Sequence, residues 1–328
     1  MAHPDHIVRQ TDPELRAVVE HLARGHVAEA VRQLDAQGRV HEIPDRATRL
    51  HAIADAFVAD PQGTLVISPD NHSRVELNAR IHHSQQTFGN VDRDERLVRI
   101  LVPRQDLTGA DRQWAARYEV GNVVRYTTGS RMIGLEAGAY AELTDVNPRD
   151  NRLTVQRPTG ARVTYDPCRI QGVTLYRTGV RPFARGDRIR VTAPDRLRRV
   201  ANRDLGTLVD TRRHGELRVR FDSGRTVSFP SGDRVHLDFG YAVTSHSSQG
   251  QTADRVLVHV ETDRTGALVN RRLAYVALSR GRHDAQLYTN NRSQLSAALL
   301  RDPAHDTALQ PQHVNRSTHR DQSFTLGL

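Results

Sequence analysis

Lysine is absent from this chain of 328 residues, so its 47 lysine-plus-arginine positions are all arginine. A phosphate-binding loop of the form GxxxxGK[ST] depends on its lysine to reach the β- and γ-phosphates of a nucleotide. The sequence therefore excludes a Walker A motif. We also find no predicted strand that ends in the Asp-Glu pair of a Walker B motif. An ATPase that works alone through a P-loop is excluded.

Cysteine, long apolar runs and metal-ligand clusters are also scarce. The single cysteine, Cys168, excludes an intramolecular disulfide and fits a reducing compartment, so we expect a cytoplasmic protein. No 18-residue apolar run is present, which predicts no membrane span, and residues 1–10 lack the apolar core of a signal peptide. His82 and His83 form only a pair on a predicted helix, which favours a solvated helix face over a metal site.

The charge of the chain points to an acidic partner. The net charge is +9 and the isoelectric point is about 10.4, which favours binding to a polyanion such as nucleic acid. A basic surface that is merely solvated is the alternative. Between residues 188 and 203, where arginine is frequent, aromatic residues are sparse, so base-stacking platforms are weakly supported there and contacts to the phosphate backbone are better supported. A solvated arginine-rich loop is the alternative.

One stretch, Gly240–Arg282, concentrates the residues suited to chemistry. Val256–Val260 is a β-branched apolar run that predicts a buried strand. A polar turn with one glycine precedes it, and a predicted helix, Arg272–Arg280, follows and presents Arg280 and Arg282. A polar turn and an arginine-ended helix beside one strand are typical of a phosphate site in a nucleotide-binding α/β domain.

This stretch resembles a known family. GYAVTSHSSQGQT (240–252) resembles motif V of superfamily 1 helicases of the RecD/TraI type, and YVALSRGR (275–282) resembles their motif VI. The upstream segments HIVRQTDPELRAVVEHL, LDAQGRVHEI and TLVISPDNHSRVELNARI resemble the start of the second RecA-like domain of conjugative relaxase-helicases (TraI/TrwC type). The resemblance covers roughly residues 6–290.

The resemblance implies roles for individual residues. It makes Arg280 the arginine that reaches the γ-phosphate, where a cation offsets developing charge, and Arg9 the arginine of motif IV. An ordinary surface arginine is the alternative for Arg280 and for Arg9. Capping chemistry is the alternative for the predicted DNA-binding residues between 68 and 74. The predicted catalytic residues are Arg280 and Arg9; the nucleotide-binding residues are Gln10, Gln249, Gly250, Gln251 and Arg282; the DNA-binding residues are Thr244, His246, Ser68, Asn71 and Arg74.

Two positions carry separate expectations. The family usually has alanine where Gly281 stands, and a glycine inside the motif VI helix would cost roughly 0.5–1 kcal/mol. Trp114 lies in a predicted helix, Asp106–Tyr118, where core packing is its default role.

The periodicity of the chain predicts a discontinuous α/β fold. Residues 1–118 and 231–300 are predicted to form a RecA-like parallel sheet with helices, without a Walker A motif. Residues 119–230 alternate in hydropathy and contain short turns, which indicates inserted SH3-like β-barrels. An internal repeat between stretches 123–165 and 187–229 favours two barrels. The tail 301–328 is polar and is predicted to be disordered.

We therefore interpret the chain as the C-terminal portion of an ATP-dependent DNA helicase or conjugative relaxase. The resemblance implies that a first RecA-like domain, which carries the P-loop, precedes this region. ATP and Mg²⁺ are expected as cofactors only when such a domain is paired with the chain, and single-stranded DNA is the expected partner. A non-enzymatic single-stranded-DNA-binding accessory protein and an inactive gene remnant remain the alternatives.

Overall fold

The computed structural model describes residues 10–104, 107–130, 134–211, 215–231, 235–263 and 268–301. Its strands form one parallel and two antiparallel sheets. The strands are β1 (Val40–Glu42), β2 (Thr64–Ser68), β3 (Arg96–Pro103), β4 (Val123–Tyr126), β5 (Tyr140–Asn147), β6 (Arg152–Gln156), β7 (Arg162–Tyr165), β8 (Val173–Phe183), β9 (Arg188–Val191), β10 (Leu205–Asp210), β11 (Glu216–Phe221), β12 (Thr226–Pro230), β13 (Leu237–Phe239), β14 (Ala242–Thr244), β15 (Ala253–Val260) and β16 (Gly281–Thr289).

The helices all belong to the two ends of the described chain. They are α1 (Pro13–Ala23), α2 (Val27–Ala36), α3 (Arg46–Ala59), α4 (Asn71–Thr87), α5 (Arg271–Leu278) and α6 (Arg292–Leu300). Aspartate caps begin three of them: Asp12, Asp45 and Asp70 each accept a hydrogen bond from a main-chain N–H of the first turn. No helix of the described residues is long and apolar enough to cross a membrane.

The parallel sheet has the strand order β1-β16-β15-β2-β14. Its central strands are apolar on both faces, as strands covered by helices on both sides must be. On β2, Val66 packs into the core shared with α3 and α4, whereas Ile67 packs into the core shared with α1, α2, α5 and α6. This arrangement confirms the predicted α/β fold with a parallel sheet.

The other strands form two antiparallel sheets. One has six strands in the order β3-β8-β4-β5-β6-β7, and the other has five in the order β12-β11-β10-β9-β13. The two halves of the internal repeat fall in different sheets, because residues 123–165 supply β4 to β7 and residues 187–229 lie in β9 to β12. The assignment of these sheets as SH3-like barrels stays a prediction.

The antiparallel region is larger than the predicted range 119–230. β3 pairs along its whole length with β8, and β13 pairs with β9. Both strands therefore lie in antiparallel sheets, although the sequence places them in the RecA-like ranges. Long-range ladder hydrogen bonds decide the sheet to which a strand belongs, and local periodicity does not report them.

The segment before β4 also differs from its prediction. It holds two short 3₁₀ turns, Asp111–Gln113 and Ala115–Arg117, where a helix over Asp106–Tyr118 is predicted; Asp106 itself lies outside the described residues. Trp114 lies between the turns, and 59% of its surface is exposed. The prediction that it packs in a core is wrong.

A buried carboxylate joins helix α4 to the two antiparallel sheets. Asp238 on β13 accepts hydrogen bonds from Arg74 of α4 at 3.1 Å and from Arg181 of β8 at 2.8 Å. Burial alone would raise the pKa of Asp238, but Arg74 and Arg181 outweigh it and hold that pKa below its usual value. Beside this cluster, burial and the neighbouring Arg74 lower the pKa of Arg190 to about 10.

Candidate nucleotide and DNA site

Arg280 follows the end of α5 and connects motif VI to motif V. Its Nε donates to the carbonyl of Val276 at 2.9 Å, which folds the side chain back along the helix. Its Nη1 donates to the carbonyl of Gln251 at 3.3 Å, and the N–H of Ala253 donates to the Arg280 carbonyl at 3.0 Å. The half-buried guanidinium is therefore fixed against the polar turn.

Gln10 lies beneath the same turn and is fully buried. Its Nε2 donates to the carbonyls of Ser279 and Gly281, each at 3.0 Å. The geometry corrects the predicted direct contact with nucleotide, because this side chain instead braces the main chain on both sides of Arg280. Arg9 lies outside the described residues, so its role stays a prediction.

Gly281 begins β16 and is not inside a helix, which corrects the expectation of a loosened helix end. A Cβ at this position would lie 2.5 Å from the main-chain oxygen of Asp284. Glycine is therefore required by close packing of the strand start. Arg282 follows on β16 and lies 3.5 Å from the carboxylate of Asp254, with both side chains about half exposed.

The motif V loop begins with a 3₁₀ turn, Ser245–Ser248, directly after β14. Thr244 Oγ1 donates to Ser247 Oγ at 3.0 Å, and the N–H of Gln251 donates to the Ser248 carbonyl at 3.0 Å. These bonds hold the loop closed on itself. Ser247 therefore serves as a hydrogen-bond acceptor inside the turn.

The outer part of this loop is open to solvent. His246, Gln249 and Gly250 are exposed. Gly250 has a φ of 86°, in the left-handed region that favours glycine, and no atom lies within 4 Å of where its Cβ would be. The main chain at Gly250 can therefore be approached closely from outside.

The predicted DNA and nucleotide residues lie at opposite edges of the parallel sheet. Thr244 pairs in register with Ser68 at the carboxyl ends of β14 and β2. Gly281 pairs with Ala253 at the amino ends of β16 and β15, where Arg280 also lies. Because β14 and β15 run in the same direction, the motif V loop crosses from one edge to the other. Eight residues, 245–252, therefore connect the two edges of the sheet.

Two of the predicted DNA contacts have structural roles instead. Arg74 is 3% exposed and is held by Asp238, so it is not available to a phosphate. Ser68 is fully buried, and its Oγ donates to the carbonyl of Asp70. Asn71 is exposed at the start of α4, although its Oδ1 accepts a hydrogen bond from Arg74 Nε. Neither Ser68 nor Arg74 caps α4, whose N-cap is Asp70, so the capping alternative does not describe them either.

A cleft of about 690 Å³ adjoins the amino edge of the sheet. Gln251 and Thr252 of motif V, Gly63 before β2, and Arg188 and Asp222 of the second antiparallel sheet are among its lining residues. Its size is typical of a small-molecule pocket. Arg280 is not part of its lining, so the cleft is adjacent to the predicted phosphate arginine and does not enclose it.

His82 is buried, which corrects the expectation of a solvated helix face. Its Nδ1 lies 2.6 Å from Asp187 Oδ1 and its Nε2 lies 3.0 Å from Glu95 Oε1. Burial opposes a charge on the ring, but the hydrogen bonds to Asp187 and Glu95 outweigh burial and raise the pKa of His82. Tyr241 also donates to Asp187 at 2.7 Å.

Sequence reasoning missed these buried carboxylates. Asp238 stands between Leu237 and Phe239 in an apolar run, and Asp187 precedes the buried strand β9. An isolated acidic residue inside an apolar run is the signal that could have indicated burial with a cationic partner. Among the described residues, no three His, Cys, Asp or Glu side chains are grouped so that they could hold a metal ion.

Comparisons with known proteins bear on the motif region and on most of the chain. Residues 239–288 match the family model of the UvrD-like helicase C-terminal domain. The chain is 26% identical over 315 residues to the multifunctional conjugation protein TraI of Escherichia coli, an alignment that covers 89% of the chain and 17% of TraI. It is 35% identical over 156 residues to the conjugal transfer protein TraA of Agrobacterium fabrum, covering 41% of the chain and 13% of TraA.

A solved structure of two coordinating Pif1 helicases that unwind forked double-stranded DNA aligns with 92% of this chain and 52% of that chain, at 16% identity and a TM-score of 0.43. The chain spans 16–17% of the length of the two TraI relatives that it matches. The sequence matches confirm the predicted resemblance to helicases of the TraI type.

Proposed function

We propose that this chain, which carries the UvrD-like helicase C-terminal match, acts as the second RecA-like half of an ATP-dependent DNA helicase in conjugative DNA transfer. It would bind single-stranded DNA and close one side of an ATP site. A separate RecA-like domain would supply the P-loop, since a chain without lysine has no Walker A lysine.

The observation that carries the proposal is the link between Arg280 and the motif V loop. The Arg280 guanidinium donates to Gln251 on that loop, whose other end adjoins Thr244 at the carboxyl edge of the sheet. A ligand that draws Arg280 toward its phosphates would pull on the segment that contacts DNA. This connection couples the two edges, as a motor that converts ATP hydrolysis into movement along DNA requires.

The residues present fit the phosphates of ATP in part. Arg280 can offset the charge that develops on the transferring phosphoryl group. Gln251, whose carbonyl accepts a hydrogen bond from Arg280, and Arg282, two residues after Arg280, can donate hydrogen bonds to the same phosphates. The described residues near Arg280 hold no carboxylate cluster, so we assign the Mg²⁺ ligands to the P-loop domain. Bound ATP and Mg²⁺ would supply the phosphoryl chemistry itself.

The first test is ATP hydrolysis by the purified chain, with and without single-stranded DNA. We expect no hydrolysis above background in either case. A robust rate that co-purifies with the chain would contradict the proposal, because no residue here can replace the P-loop lysine.

The second test joins the chain to the P-loop RecA-like domain of a TraI relative and measures DNA-stimulated hydrolysis. Arg280→Ala is expected to lower kcat by roughly 10³-fold or more, as the loss of an arginine finger does. The matched control is Arg272→Ala, since Arg272 is an exposed arginine on the same helix. Equal activity of both variants would remove Arg280 from the ATP site.

A second function, a single-stranded-DNA-binding accessory protein without nucleotide, rests on the exposed arginines of the antiparallel region. It predicts that the chain binds DNA, and that joining it to a P-loop domain does not produce ATP hydrolysis. The joined protein therefore separates the two functions.

A further inference from the structure

Trp114 is the single tryptophan of the chain, and it is exposed. With 59% of its surface accessible, it departs from the usual behaviour of tryptophan, which is highly buried on average. Exposed apolar surface of the indole ring is unfavourable in water, and a ligand that covers it recovers that free energy. The turns that hold Trp114 are therefore a candidate binding surface next to the six-stranded antiparallel sheet.

The main chain on both sides of Trp114 is held rigidly. Asn151 Oδ1 accepts a hydrogen bond from the N–H of Ala115 at 2.7 Å, and its Nδ2 donates to the carbonyl of Gln113 at 3.1 Å. Cys168 Sγ donates to the same carbonyl at 3.2 Å. Asn151 makes these bonds from a φ of 51°, a left-handed conformation that non-glycine residues rarely adopt. The exposed indole is therefore mounted on a fixed support and not on a free loop.

Three exposed arginines lie close in sequence to the residues of this support. Asn151 and Cys168 both donate hydrogen bonds to the Gln113 carbonyl. Arg152 directly follows Asn151, and Arg169 directly follows Cys168. Arg149 lies in the turn that leads to Asn151. All three arginines are exposed, and none forms an ion pair with a residue that the structure describes.

The nearby carboxylates are already engaged. Asp166 accepts hydrogen bonds from Asn151 Nδ2 at 2.8 Å and from the N–H of Cys168 at 2.9 Å. Asp111 accepts from Thr108 and lies 3.4 Å from Arg117. Three exposed guanidinium groups, on residues close in sequence to the support of Trp114, are therefore not paired with these carboxylates and can take up anions.

We propose that Trp114 is a base-stacking platform for single-stranded DNA, with Arg149, Arg152 and Arg169 binding the adjacent phosphates. An aromatic face beside cations is the combination that binds an unpaired base and its backbone without sequence preference. Duplex DNA offers no free base face, so the site selects single strands. This inference rests on the proposed DNA-binding function and adds a contact outside the helicase motifs.

The test uses the fluorescence of the single tryptophan in the intact chain. Addition of a single-stranded oligothymidine is expected to quench Trp114 emission, and the quenching should saturate at the concentrations at which a labelled oligonucleotide shows binding by anisotropy. Trp114→Ala should weaken binding by about 5- to 160-fold, the range for loss of one stacked base. Trp114→Phe should recover most of the affinity.

Phe88→Ala is the matched control, because Phe88 is an aromatic residue with 66% exposure that lies on α4's C-terminal end, away from this support. It should bind DNA as tightly as the unchanged chain. Binding by anisotropy without quenching, together with full affinity of Trp114→Ala, would overturn the inference and leave the proposed function intact. Equal quenching by duplex would overturn the selectivity for single strands. Absence of any binding would contradict both.

Discussion

Arginine serves different purposes at the buried helices α3 and α4 and on the exposed turns of the six-stranded antiparallel sheet. Around the parallel sheet, Arg49 is fully buried and donates to the Ile43 carbonyl and to Glu261, and Arg74 is held by Asp238. On the six-stranded antiparallel sheet, Arg149 and its neighbours are exposed. A guanidinium has five N–H donors in a planar fork, so it can satisfy several buried acceptors or bind phosphates.

The basic composition alone therefore overstates the positive charge that the surface offers to a polyanion. Some of the arginines are buried inside the fold, where they donate hydrogen bonds to main-chain carbonyls and to carboxylates. Burial and the nearby Arg49, for example, lower the pKa of His259 to about 3, so this ring is neutral at physiological pH. The net charge of the chain reports solvated and structural arginines together.

The largest effect that would sharpen this comparison is the loss of the Asp238 carboxylate. Asp238→Asn leaves Arg74 and Arg181 without their buried counter-charge, which typically costs about 3–5 kcal/mol. Urea unfolding measures the change. Asp222→Asn is the exposed control, since the Asp222–Arg188 pair lies largely in solvent and should be worth about 0–1 kcal/mol. Similar losses for both variants would show that burial does not distinguish the two arginine roles.

A smaller effect is expected from Gly281→Ala. The added Cβ would meet the main-chain oxygen of Asp284 at 2.5 Å, and overpacking of this kind costs about 1–3 kcal/mol. Gly109→Ala, before the Trp114 turns, is the control: its φ is ordinary and no atom lies within 4 Å of a Cβ there. Thermal unfolding should separate the two variants, and an unchanged Gly281→Ala would mean that the start of β16 is not tightly packed.

The smallest predicted effect is the pH dependence contributed by His82, which joins α4 to both antiparallel sheets. The pKa of His82 is raised above its ordinary 6.5 in the folded chain. Its stabilising contribution is therefore complete below pH 6.5 and is lost as the pH rises through the raised value. Unfolding midpoints measured between pH 6 and pH 9 should fall along this range.

His82→Gln should flatten that dependence. His51→Gln should leave the pH dependence of the unfolding midpoint unchanged. It removes an exposed histidine whose neighbour Asp55 lies one helical turn away. A slope that persists in His82→Gln would assign the pH dependence to another group.

The sequence predicts the parallel domain better than its surroundings. Motif V, the strand β15 and the helix that leads to Arg280 are local patterns, and each element was expected near its observed position. Gln10, Ser68 and Arg74 were assigned from the resemblance, and their burial depends on contacts with residues far along the chain, such as Asp238 with Arg74. The exposure of Trp114 likewise depends on Asn151, which no local pattern connects to it.

We propose that the folded chain binds single-stranded DNA. The most direct test is fluorescence anisotropy of a labelled single strand, compared with a duplex of equal length at several salt concentrations. We expect tighter binding to the single strand, and the logarithm of the binding constant should fall by about 0.7 per unit of the logarithm of salt concentration for each phosphate contact. Absence of binding at low salt by a chain shown to be folded, or equal binding to duplex, would contradict it.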